Sequence, residues 1–171
     1  DNGDIFTSTQ LINAIHSLPL DGLNDAAQAL LQAQEGAGQQ REDYWKNRVR
    51  PFWEKIWPKS NEYALSSNPD TLVRLCIATG NEFPSAMAVI GIWLRPIQHP
   101  YSIIKRLHES DLSSKFPETS LTLLDTILDL QQSFYSPDLQ LCLKAILQVM
   151  PDLRQDRRFM KVDELARLSG R

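Results

Sequence analysis

Few side chains in this sequence could move a proton near neutral pH or hold a metal: His16, His99, His108, Cys76 and Cys142. Structural zinc needs a clustered Cys/His set, and these five share no such local spacing, so no metal site is expected. His108 and Glu109 could form an acid–base pair, and Asp125 would have to join them in one cleft for a hydrolytic reading to hold. The plainer reading places His108 at a helix C-terminus, where the partial negative charge favours a cation. His99, directly before Pro100, reads as a turn or N-cap residue. A Gly-rich phosphate loop, a Ser or Cys elbow and paired carboxylates are all missing. Neither a catalytic residue nor a cofactor is therefore expected.

The segment YWKNRVRPFWEKIWPK, Tyr44 to Lys59, is the strongest binding candidate, because it interleaves three tryptophans with Lys46, Arg48, Arg50, Lys55 and Lys59. Rings supply area or stacking and cations supply electrostatics, at protein hot spots and on single-strand nucleic-acid platforms alike. On a helical wheel, however, Trp45, Val49, Phe52, Trp53 and Ile56 fall within about 100° of one another, which is a core stripe. The flanking cations would then cover apolar surface with their stems. Pro51 implies a kink or a restart. Lys46, Arg48, Arg50, Trp57 and Lys59 are the candidate binding residues, with Lys46, Arg50 and Trp57 the members expected at the surface.

These residues must be positioned by a chain of 171 residues, 42% hydrophobic and 23% charged, a balance typical of one globular domain. The net charge of −3 argues against a protein whose main task is neutralising phosphates. Both cysteines sit inside apolar helical runs, as buried reduced thiols do. The longest apolar run, Ala86 to Leu94, is far short of the roughly 20 residues of a membrane span, and no signal peptide is visible. A cytoplasmic protein without a membrane partner is expected. The chain begins at Asp1 rather than Met, which suggests a piece of a larger protein.

All 18 basic residues follow Gln40, so residues 1–35 read as an acidic pair of helices, Thr7 to Leu18 and Gly22 to Glu35. The two glycines of residues 36–40 mark a boundary. Residues 41–171 read as a helical array forming one compact unit with that pair.

Prolines at 69, 84, 100, 117, 137 and 151 recur every 14 to 20 residues. A proline inside a helix costs about 3 kcal/mol, but at the first position its missing N–H would have been unpaired anyway. Six helix starts follow, with Asn68 and Ser136 as caps and Gly80 as a terminator. Alternate prolines are 31 to 37 residues apart, near the period of helical-hairpin repeats. The expected fold is all-α, a short degenerate α-solenoid of antiparallel helix pairs, HEAT-like, without a sheet. Pro84 to Leu94 is apolar on all sides and reads as an enclosed inner helix. Tyr101 to Glu109 separates Ile103, Ile104 and Leu107 from Ser102, Lys105, Arg106 and Glu109, as an outer helix does. The basic end, Arg154 to Arg171, reads as a capping helix with a solvated face on which Asp163 pairs with Arg167.

Residues 70 to 165 contain the turns ATG-x-x-FP (Ala78 to Pro84), LRP-x-x-HP (Leu94 to Pro100), LHES (Leu107 to Ser110) and KFPE (Lys115 to Glu118). On these motifs the stretch resembles the C-terminal helical region of large bacterial antiphage-defence proteins, in which a sirtuin-like or nucleotide-hydrolysing effector is joined to a helical tail. The resemblance implies a recognition or assembly module and carries over no catalytic residue. The expected function is a non-catalytic helical protein-interaction module. Its partner would be another protein or the remainder of a larger chain; a nucleic-acid-binding array using residues 44–59 is the alternative.

Overall fold

A computed structural model describes residues 21–56, 68–131 and 136–168, and it divides into two compact units, one ending at Glu82 and the other starting at Phe83. Among the described residues the chain is all-α and has no strand. The expected helix at Thr7 to Leu18, together with Trp57, Lys59 and Arg171, lies outside them.

The first unit contains α1 (Asp21–Gly36), α2 (Arg41–Tyr44), a π turn (Trp45–Val49), α3 (Arg50–Ile56), α4 (Pro69–Ala78) and a 3-10 turn (Gly80–Glu82). Ala26, Ala27, Leu30 and Leu31 of α1 are buried, and α1 packs along α4. Three polar contacts fix the register: Asn68 N–H donates to Asn24 Oδ1 at 2.7 Å, Thr71 Oγ1 to Gln28 Oε1 at 3.3 Å, and Arg74 Nη2 to Glu35 Oε1 at 3.1 Å. Partner numbers rise together on both helices, so α1 and α4 run parallel. The glycine-containing stretch 36–40 is a turn inside this unit, with Gly38 at φ +55°.

Helix α4 starts and stops by local chemistry. The Asn68 side chain accepts from Asp70 N–H at 3.0 Å, Pro69 takes the first position, and Gly80 at φ +62° follows the last turn. Its Thr71, Leu72, Val73, Leu75, Cys76 and Ile77 are all buried. Pro51 is accommodated by the π turn that precedes α3. The wider i→i+5 spacing takes in one extra residue where the proline ring would otherwise press on the preceding helical carbonyl.

The second unit contains α5 (Phe83–Ile90), a 3-10 turn (Gly91–Trp93), α6 (Tyr101–Glu109), α7 (Leu112–Lys115), α8 (Pro117–Ile127), α9 (Pro137–Val149), a 3-10 turn (Pro151–Gln155) and α10 (Arg157–Leu168). Pro117 and Pro137 open their helices, Pro84 is the second residue of α5, and Pro100 caps α6. Pro151 opens a 3-10 turn, and the α-helix resumes only at Arg157. Helix α6 buries Ile103, Ile104 and Leu107 and exposes Ser102, Lys105, Arg106 and Glu109, as its pattern requires. Asp111 at φ 59° ends it, in the left-handed conformation that a glycine more often takes.

The reading of Pro84 to Leu94 as one helix enclosed on every side is corrected. The α-helix stops at Ile90, and the 3-10 turn advances about 120° per residue in place of 100°, which swings Ile92 to the surface, 78% exposed. Ala88 is exposed too, while Phe83, Ala86 and Ile90 face the core. The enclosed helix is α4.

Candidate functional site

Residues 44–55 divide between core and surface. Trp45, Val49, Phe52 and Trp53 are buried, which accounts for the apolar stripe. Lys46, Arg48 and Arg50 are exposed. Lys46 Nζ lies 3.1 Å from Glu82 Oε1 and Arg50 Nε lies 2.9 Å from Glu54 Oε1, so two of the three cations are balanced by carboxylates. Arg48, about half a turn from either, has no ion pair or hydrogen bond among the described residues. Two tryptophans of the segment are therefore structural, and neither offers a face on which a base could stack.

Two of the three acid–base candidates, Glu109 and Asp125, are committed elsewhere. Glu109 pairs with Lys105 at 3.7 Å, and Asp125 with Lys161 at 2.9 Å. Among the described residues no set of three or more His, Cys, Asp or Glu side chains could hold a metal ion. Cys76 and Cys142 are buried free thiols; burial pushes both up, Cys142 to about 11.

An open groove of about 570 Å³ lies between α9 and α10 of the second unit. Its construction starts at Ser136, whose Oγ accepts from Leu139 N–H at 3.3 Å and sets the phase of α9. In that phase Leu139, Cys142, Leu143 and Ile146 turn inward, and both α9 and α10 pack on α8. The 3-10 turn at Pro151, pinned by buried Leu153, reverses the chain. Asp156 then caps α10: its Oδ1 accepts from Arg158 N–H at 2.8 Å.

Helix α10 is clamped to α8 by two side chains. Arg158 grips Asp156 with both ends of its fork, Nε to Oδ1 at 3.0 Å and Nη2 to Oδ2 at 2.7 Å, and donates from Nη1 to Thr122 Oγ1 at 2.8 Å. Lys161 Nζ donates to the Asp125 carbonyl at 2.8 Å and to its carboxylate at 2.9 Å. The Arg158 fork holds the Asp156 carboxyl down at about 2. With α10 anchored on one side, its other side forms a wall of the groove.

The groove has an apolar floor of Leu143 and Leu147 from α9 and Phe159 and Ala166 from α10. Gln140, Lys144 and Gln148 edge it along α9, one turn apart, and Arg154 closes the end at the turn. On α10 the Asp163 carboxylate is neutralised by Arg167 at 2.8 Å, the pair expected from its spacing. Lys144 and Arg154 are exposed and have no hydrogen bond or ion pair among the described residues. Sequence reasoning placed Arg154 and Arg167 on a solvated face and missed the groove. Its one visible signal was the stripe 140, 143, 144, 147, 148, which fits a single helical face.

No family model, no curated protein and no solved structure matches the chain.

Proposed function

We propose that the chain is a non-catalytic protein-interaction module, a short degenerate array of helix pairs, which seats a helical segment of a partner protein between α9 and α10. The observation that carries this reading is the groove itself, whose apolar floor is edged by polar and basic side chains on both helices. Its α9 wall from Gln140 to Gln148 is about 12 Å long at 1.5 Å per residue, room for two to three turns of a docked helix. Amphipathic helices enter such grooves with anchors at i, i+3 or i+4, and i+7. The resemblance of residues 70 to 165 to the helical tails of antiphage-defence proteins supports the same reading, that of a recognition part.

Nuclear magnetic resonance titration with a 14-residue amphipathic peptide of leucine and glutamine is the test. Amide shifts concentrated on residues 140–148 and 159–167 are the expected result. Saturation with no shift there would overturn the reading. The nucleic-acid alternative has the exposed Arg48 in its favour. Against it stand the buried Trp45 and Trp53 and the paired Lys46 and Arg50. Oligonucleotide binding that weakens steeply with salt and perturbs residues 46–50 would establish it instead.

A further inference from the structure

Resting on that reading, we infer that the segment seated between α9 and α10 is acidic: an amphipathic helix whose carboxylates meet Lys144 and Arg154. Arg157, at the start of α10, does not line the groove, and the other cations of α10 are already committed. Arg158 holds Asp156 and contacts Glu118, Lys161 holds Asp125, and Arg167 holds Asp163. Lys144 and Arg154 are left without a partner among the described residues, at the edge of the groove, in a chain of net charge −3. The one carboxylate in the groove wall, Asp163, is cancelled by Arg167 at 2.8 Å. Among the residues that line the groove the unbalanced charge is therefore positive, two cations whose solvation a carboxylate can replace with direct hydrogen bonds.

Position adds register. Lys144 lies between Leu143 and Leu147, so a carboxylate meeting it flanks an apolar anchor resting on those leucines. Arg154 stands at the end of the groove, in the turn that follows α9, and fixes a second carboxylate farther along. The occupant is a protein segment and not a nucleic acid, because the aromatic ring in the groove, Phe159, is only 4% exposed and offers no stacking face.

Fluorescence anisotropy on the full chain tests this with three dye-labelled 14-residue peptides sharing one leucine pattern and carrying glutamate, glutamine or lysine elsewhere. At near-physiological salt the glutamate peptide is expected to bind about tenfold more tightly than the lysine peptide. The double variant Lys144→Glu, Arg154→Glu is expected to invert that order, and Lys144→Glu alone to narrow it, with thermal melts unchanged. Equal binding of all three peptides, or an order the double variant does not change, would overturn the acidic occupant and leave the groove reading standing. Binding by none of them would overturn both. Displacement of the glutamate peptide by a single-stranded oligonucleotide would also overturn the inference.

Discussion

At Gly80 the backbone sits at φ +62°, and the glycine lies directly under the Arg41 and Glu42 side chains. A Cβ there would meet Arg41 Cζ at 2.7 Å and Glu42 Oε1 at 2.8 Å. Left-handed backbone alone costs an L-residue about 1–2 kcal/mol, and the displaced side chains also lose the contact of Glu42 with Asn81 N–H at 3.3 Å. Gly80→Ala is expected to lower the urea midpoint without changing the slope of the transition. Asp156 gives a pH-dependent case. Because the Arg158 fork depresses its carboxyl to about 2, its charge contributes stability throughout the range above the ordinary aspartate value of 3.8. That contribution is lost as pH falls through the interval toward 2. Asp156→Asn keeps a capping oxygen and removes the charge. Wild type should melt above the variant from pH 7 down to about 5, and the two curves should converge near pH 2.

At the scale of elements, α5 and the turn after it place a fully buried isoleucine two residues from one that is 78% exposed, Ile90 and Ile92. Ile90→Asp removes about 2–3 kcal/mol of apolar burial and adds an unpaired carboxylate in the core, so unfolding at ordinary temperature is expected. Ile92→Asp should change stability by no more than about 0.5 kcal/mol, as surface substitutions do. Circular dichroism melts of the two variants make the comparison. Here the limits of the sequence are visible. Pro69, Pro117 and Pro137 marked helix starts because the chemistry that favours them is local, a missing N–H at the first turn and a cap such as Asn68 or Ser136, whereas Pro151 opened only a 3-10 turn. The wheel of α6 separated wet from dry faces for the same reason. It failed from Pro84 to Leu94 because a change from α to 3-10 geometry alters the angular step, and only Gly91 hinted at it.

For the molecule as a whole, the groove and the clamp behind it were hidden for a different reason. Arg158 and Lys161 find Thr122 and Asp125, each 36 residues away, whereas the sequence offers only neighbours one helical turn distant. Asp163 and Arg167 were legible because they are such neighbours. The core assignment of Trp45, Val49, Phe52 and Trp53 was legible too, since it required only periodicity. Division of the chain after Glu82 had no compositional marker, because the stretch that crosses it, Gly80 to Pro84, is short and contains the same glycine and proline signals as other turns. Among the described residues no single helix is long and apolar enough to cross a membrane.

Division into two units gives the buried thiols a use. Cys76 belongs to α4 of the first unit and Cys142 to α9 of the second, and neither has any solvent-accessible surface. A thiolate is the reacting species, and burial disfavours it at both sites, so iodoacetamide at pH 8 should leave the native chain unmodified over a period that fully alkylates the denatured chain. Under increasing urea, each cysteine becomes a clock for the opening of its own unit, read by mass spectrometry of the peptide that contains it. One shared labelling rate would mean a single cooperative opening. Two rates would rank the units by kinetic resistance, with no added probe in the chain.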